Sequence, residues 1–147
     1  MILLILTDML SCEARDAGSF LSSIAISHRN EGKKLAFIAG GETVVHLKGK
    51  GKGGRNQEIA LSAAIGLEGI KNAAVFSLGS DGTDGPTDAA GGYADGDTVA
   101  ALREKGMEIH TYLDNNDAYN ALKAADGLII TGPTGTNVND VAVVLIS

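Results

Sequence analysis

The most unusual segment of the chain is Lys48-Gly49-Lys50-Gly51-Lys52-Gly53-Gly54-Arg55-Asn56-Gln57-Glu58. It follows an apolar run at 43–47 and opens a helical pattern at 56–67, so it predicts a junction between a strand and a helix. Four cationic side chains are interleaved with four glycines. Glycine lets the backbone approach a ligand closely, and a helix N-terminus offers unpaired N–H groups and a positive dipole end. The stretch therefore predicts a cradle for phosphate or carboxylate.

The alternation of strands and helices continues in both directions along the chain. Apolar runs of strand length lie at 2–6, 35–39, 43–47, 73–79, 108–112, 128–131 and 141–146. Helical patterns lie between them at 12–30, 56–67, 97–105 and 116–125, with Ser11 as a candidate N-cap and Gly106 and Gly127 near helix ends. Several apolar runs are apolar throughout, as in strands covered on both faces. We therefore predict an α/β fold, a three-layer α/β/α sandwich with a mixed, mostly parallel sheet, in which Gly40-Gly41-Glu42 forms a hairpin.

Length and composition narrow the class of protein. The 147 residues favour a single domain, 1–147, and 44% hydrophobic content suits a folded core. A net charge of -6 argues against nucleic acid as the partner. The lone Cys12 fits a reducing cytosol, and the apolar start at 1–6 is too short for a membrane span, so we expect a cytoplasmic protein that does not bind membranes. A core strand that begins at residue 2 suggests the back part of a larger protein.

The basic loop, residues 48–55, is the first candidate site. Arg55 can grip two oxygens in a fork, while Lys48, Lys50 and Lys52 act as point charges near Gly53, Gly54 and Asn56. The structural alternative is a flexible, solvated turn. The loop also satisfies a dinucleotide fingerprint formally, as Gly49-x-Gly51-x-x-Gly54, but no acidic residue follows at the distance that would hold a ribose. Because crowded cations repel one another unless something neutralises them, we favour anion binding.

Two further loops carry polar groups. Asp81, Asp84 and Asp88 lie within one glycine-rich loop and are candidate ligands for Mg²⁺, or a base, or turn and capping residues. The loop 131–140 carries Thr134, Thr136 and Asn137, whose hydroxyl and amide groups suit phosphate or sugar hydroxyls, or a structural turn. The three histidines are far apart in the sequence and have no metal-ligand spacing, and His46 reads as a strand residue.

Five motifs, taken in order, resemble the C-terminal MOFRL part of class II glycerate kinases. They are Leu6-Thr7-Asp8 with Glu13-Ala14-Arg15, Gly40-Gly41-Glu42-Thr43, Gly53-Gly54-Arg55-Asn56-Gln57-Glu58, Asp81-Gly82-x-Asp84-Gly85-Pro86-Thr87-Asp88-Ala89-Ala90-Gly91 and Thr131-Gly132-Pro133-Thr134-Gly135-Thr136-Asn137-Val138-Asn139-Asp140. The resemblance runs over nearly the whole chain. Cys12 stands where the family tends to have Gly, and Ala39 stands where Ser is common.

The resemblance implies ATP-dependent phosphorylation of glycerate to 2-phosphoglycerate with Mg²⁺. It also implies an active site between two domains, with Arg55 in catalysis and an essential lysine supplied by an N-terminal domain to which no part of this chain corresponds. We therefore expect binding of a glycerate-like anion and a nucleotide, an N-terminal kinase domain or a homo-oligomer as partner, and little activity of this chain alone. The alternatives are a non-catalytic anion- or nucleotide-binding module and an NAD(P)-dependent hydroxypyruvate reductase.

Overall fold

The computed structural model describes the whole chain, Met1–Ser147, as six strands and five helices. The strands are β1 (Ile2–Leu10), β2 (Leu35–Gly41), β3 (Ala73–Gly79), β4 (Gly91–Asp95), β5 (Leu128–Ile129) and β6 (Asp140–Ile146). The helices are α1 (Ala14–His28), α2 (Arg55–Leu67), α3 (Thr98–Glu104), α4 (Ile109–Asp114) and α5 (Ala118–Ala124). None of the helices has the length and apolar character that crossing a lipid bilayer requires.

All six strands form one sheet in the order β1-β2-β6-β3-β4-β5. Only β1 and β2 pair in parallel, and the other four pairings are antiparallel. The prediction of a mixed sheet is confirmed, but the prediction that it is mostly parallel is wrong. The last strand, β6, inserts between β2 and β3 and runs antiparallel to both, and β4 runs antiparallel to its two neighbours, β3 and β5.

The helices pack against one face of the sheet. One core cluster joins α1 and α2 to inward side chains of the central strands, including Phe37, Val75 and Val144. A second cluster joins α2 to α3, α4 and α5 and to Ala94, which is paired with Val75 and so faces the same way. The structure therefore shows two layers, and not the predicted three-layer sandwich. Helix α2 lies at the centre, with side chains in both clusters.

The opposite face of the sheet is apolar and uncovered. Phe76, Leu78 and Leu145 point to this face and are only half-buried. They continue onto edge strand β1, where Leu3 and Ile5 are 65% and 79% exposed. The prediction that residues 2–6 form a strand is confirmed, but the prediction that this strand is buried is wrong.

Three local predictions also differ from the structure. Run 43–47 forms no strand beyond one bridge between Val44 and Glu13, because β2 already has a neighbour on each side and cannot take a hairpin partner after Gly41. Run 108–112 lies in helix α4, whose buried Ile109 and Leu113 are four residues apart, the helical spacing. Strand β4 was not predicted, since its sequence begins with two glycines.

Candidate functional site

A carboxylate from another loop occupies the N-terminus of α2. The N-cap residue, Gly54, has no side chain, and the buried Asp84 accepts four hydrogen bonds there, from the backbone and side-chain amides of Asn56 and Gln57. Burial raises the pKa of Asp84, while these hydrogen bonds oppose the shift. The sequence predicted that the backbone N–H groups at the N-terminus of α2 bind a ligand. In the structure these groups are largely hydrogen-bonded within the protein.

The glycines of the basic loop allow its backbone to pack closely against the backbone of residues 115–117. The loop lies along residues 115–117, with the backbone N–H groups of Lys48 and Gly49 donating to Asn116 Oδ1 and that of Lys52 donating to Asp117 Oδ1. A Cβ atom on Gly51 would lie 2.3 Å from Asp117 Cβ, so no larger residue fits without displacing the segment. Asn116 adopts φ 54°, a left-handed conformation that asparagine tolerates better than most residues.

The three lysine side chains are exposed and lie outside the cleft described below. The Lys52 ammonium lies 3.9 Å from the centre of the Tyr119 ring, a cation–π contact. Acidic groups of the neighbouring segment lie close to the loop: Arg15 lowers the pKa of Asp114 most, and Lys48 adds to that shift. None of the three lysines forms an ion pair within the chain, so anion binding by this loop stays a prediction.

Arg55, the first residue of α2, is held by two carboxylates. Its Nε donates to Asp140 Oδ2 over 2.5 Å and its Nη2 donates to Asp140 Oδ1 over 3.2 Å, while Glu42 Oε1 lies 3.1 Å from Nη2. The hydrogen bond to Asp140 is the main cause of the raised pKa of Arg55, and the charges of Asp140, Glu42 and Asp84 add to it. The remaining nitrogen, Nη1, makes no hydrogen bond within the chain and keeps two donors available.

A cleft of about 640 Å³ opens beside Arg55. Its walls come from the segment 42–47, the glycines of the basic loop, and the turn at Gly85 and Pro86. Glu58 and Asn116 also line it, and Glu58 is only 5% exposed. Such a volume suits a small ligand.

The three predicted metal ligands do not come together. Asp81 is half-buried and accepts hydrogen bonds from Thr83, Asp84 caps α2, and Asp88 accepts from the Tyr119 hydroxyl. No group of three or more His, Cys, Asp or Glu side chains is arranged to hold a metal ion. The hydrogen bonds from Thr83 lower the pKa of Asp81, and the charge of Arg55 adds to that shift. Asp81 is therefore the one of the three that combines a partly accessible carboxylate with a position near Arg55.

The loop 131–139 packs against the Asp81 loop. Thr134 donates through its backbone N–H to Asp81 O and through its hydroxyl to Ser80 O, so the two loops are joined. Thr136 accepts from the Thr134 hydroxyl, and Asn137 Oδ1 accepts from the Asn139 N–H. These contacts place the predicted phosphate-binding residues at the end of the sheet where β3 ends and β6 begins, close to Asp81 and Asp140.

Sequence reasoning missed four residues of this site: Glu42, Glu58, Asn116 and Asp140. Glu42, Glu58 and Asp140 lie in the motifs that resemble the family, but among the motif residues only Arg55 was assigned a catalytic role. Asn116 gave no signal, because only the packing of 115–117 on the basic loop reveals its contacts.

Comparison with known proteins agrees with these motifs. The sequence profile of the MOFRL family matches residues 35–140. The chain is 58% identical over 146 residues to the D-glycerate 2-kinase of Thermotoga maritima, a match that covers 97% of this chain and 35% of that enzyme. It is 46% identical to the glycerate 2-kinase of Pyrococcus horikoshii, covering 97% of this chain and 33% of that enzyme.

A solved structure shows the same fold. The crystal structure of glycerate kinase from Thermotoga maritima matches with a TM-score of 0.95 and 56% identity over 99% of this chain and 36% of that chain. This chain therefore spans about a third of the length of the curated relatives that it matches.

Proposed function

Because this chain belongs to the MOFRL family, we propose that it is the C-terminal part of an ATP-dependent glycerate 2-kinase, which makes 2-phosphoglycerate. In this proposal the cleft beside Arg55 binds a glycerate-like anion and part of the nucleotide. The observation that carries the proposal is the fixed guanidinium of Arg55, which borders the cleft and keeps both Nη1 donors unused. Phosphoryl transfer depends mainly on positioning and on charge neutralisation, and an arginine held by two carboxylates supplies the positioning.

The other loops have supporting roles in the proposal. Lys48, Lys50 and Lys52 approach nucleotide phosphates from outside the cleft, and Thr134, Thr136 and Asn137 contribute hydroxyl and amide donors. The residues present fit Mg²⁺ in one way: Asp81 is accessible and uses Oδ1 for both bonds from Thr83, which leaves Oδ2 for a metal that takes its other ligands from phosphates and water. When bound, Mg²⁺ would neutralise charge on the phosphate oxygens. Asp84 is fully used as a helix cap and is not part of this assignment.

We also propose that an N-terminal kinase domain completes the active site. The relatives are about three times as long as this chain, and the carboxylates around Arg55 leave the cleft short of positive charge for an anionic substrate. A lysine supplied across the cleft would correct that balance. The uncovered apolar sheet face gives such a domain a surface to pack against.

A chimera tests the proposed function. This chain replaces the matching region of the Thermotoga maritima D-glycerate 2-kinase, and phosphoglycerate formation is measured with ATP, Mg²⁺ and D-glycerate. We expect an active chimera, inactivation by Arg55→Ala, and little turnover by the isolated chain. A folded chimera without activity would favour a non-catalytic module, and robust turnover by the isolated chain would refute the need for a second domain.

A further inference from the structure

Glu58 is a buried carboxylate that the fold does not explain. It lies in the first turn of α2, is 5% exposed and forms no ion pair. Its one side-chain hydrogen bond comes from Asn116 Nδ2 over 3.4 Å, at the long limit for such a bond. A buried carboxylate without a cation or close donors costs free energy, and such groups concentrate at functional sites.

The position of Glu58 relates it to Arg55. The two residues are three apart on one helix, so their side chains are neighbours, and both line the same cleft. Arg55 nevertheless pairs with Asp140 and Glu42 and not with Glu58. The cleft thus presents a cationic donor and an unpaired acceptor side by side.

We propose that Glu58 accepts a hydrogen bond from an alcohol hydroxyl of the substrate while Arg55 binds the substrate's carboxylate. This inference rests on the proposed function and adds the residue that recognises a hydroxy acid. A hydroxyl on the carbon next to a carboxylate, or one carbon further, matches the separation of neighbouring side chains on one helical turn. Asn116, which also lines the cleft, donates to Glu58, and its own position is fixed by the Lys48 and Gly49 N–H groups.

The charged surroundings of Glu58 are consistent with this role. Burial raises its pKa most, the hydrogen bond from Asn116 opposes the shift, Glu13 adds to it, and Arg15 and Lys48 oppose it. A carboxylate that is poorly solvated in the empty cleft gains most from a hydroxyl donor when a ligand enters.

Titration of the isolated chain with four acids tests the proposal. The acids are D-glycerate, D-lactate, 3-hydroxypropanoate and propanoate, and binding is followed by ¹H–¹⁵N NMR. We expect the wild type to bind D-glycerate about 10- to 100-fold more tightly than the analogue that lacks the hydroxyl facing Glu58. Glu58→Gln should reduce that preference about tenfold, because a neutral amide is a weaker acceptor. Glu104→Gln, on the exposed surface of α3, should leave it unchanged.

The outcomes separate this proposal from the proposed function. If the acids bind and Arg55→Ala weakens all of them, but the preference survives Glu58→Gln, Glu58 has no role in hydroxyl recognition while the proposed function stands. If none of the acids binds the wild-type chain or the chimera with the Thermotoga maritima enzyme, the cleft is not the substrate site and the proposed function fails with it. Glu58→Asp keeps a carboxylate and should retain part of the preference, which a purely structural role would not predict.

Discussion

At the scale of single residues, Asp140 decides how Arg55 is presented to the cleft. It is the first residue of β6, its side chain is 9% exposed, and it meets the guanidinium through two oxygens. A paired fork of this kind fixes orientation as well as charge. Arg55 is therefore preorganised, and its Nη1 has no hydrogen-bond partner within the chain and can donate to a ligand.

We predict that Asp140→Ala lowers the free energy of unfolding by about 1–2 kcal/mol. This is less than the loss for a fully buried pair, because Arg55 is a third exposed and keeps Glu42. Urea unfolding measures the change. Lys71→Ala removes an exposed pair with Asp97 and should cost under about 0.5 kcal/mol. Equal losses in the two variants would mean that Asp140 holds Arg55 only weakly.

The raised pKa of the Glu58 carboxyl predicts an unusual dependence of stability on pH. Its folded pKa lies above the unfolded value of 4.5, so the folded state binds more protons, and its contribution to stability is lost as pH rises through the folded pKa. Glu58→Gln should therefore be more stable than the wild type at pH 8, because the neutral amide does not have to be buried as a charge. The difference should shrink towards pH 4. Thermal unfolding across this range checks the trend, and a Gln variant that is less stable at pH 8 would contradict it.

At the scale of elements, helix α2 depends on a cap from outside its own sequence neighbourhood. We predict that Asp84→Ala costs about 2–4 kcal/mol, since it removes a cap and leaves buried amides of Asn56 and Gln57 without an acceptor. Asp81→Ala, in the same loop but only half-buried, should cost under about 1 kcal/mol. Chemical denaturation compares the two variants, and similar losses would show that Asp84 is not the cap that stabilises α2.

Two glycines of the basic loop, Gly51 and Gly53, allow a matched comparison of substitutions. A Cβ on Gly51 would meet Asn115 O at 2.6 Å as well as Asp117, whereas a Cβ on Gly53 would meet nothing closer than 3.4 Å. Gly51→Ala should therefore destabilise the chain by about 1–3 kcal/mol and speed hydrogen exchange at the Lys52 N–H, while Gly53→Ala should do neither. If Gly51→Ala were neutral, the loop would not need close contact with 115–117.

These elements also show what the sequence could predict. The α/β class, the strands at 35–39, 73–79 and 141–146 and the helix at 56–67 follow from hydrophobic periodicity, and the structure has them. The order of strands does not follow, because the place where β6 inserts depends on tertiary pairing. The importance of Arg55 was visible in its motif, but the carboxylates that hold it and the use of the glycines in packing depend on contacts between distant segments.

At the scale of the whole molecule, the uncovered sheet face should make the isolated chain associate. Ile5 lies on this face at the edge strand and is 79% exposed. We predict that the chain binds a hydrophobic dye and that its mean mass by light scattering rises with concentration. Ile5→Lys should reduce both, because a charge on an edge strand opposes pairing. Phe20→Lys, at an exposed site on α1, should have less effect, and a wild type that stays monomeric without binding dye would contradict the prediction.

In the proposed function, the guanidinium of Arg55 receives an oxyanion of the substrate in the cleft. A crystal structure of the chain with D-glycerate tests it most directly. We expect density for the carboxylate within hydrogen-bond distance of Arg55 Nη1, with Asp140 still paired to Nε. Glycerate bound elsewhere, with the cleft beside Arg55 left empty, would contradict the claim.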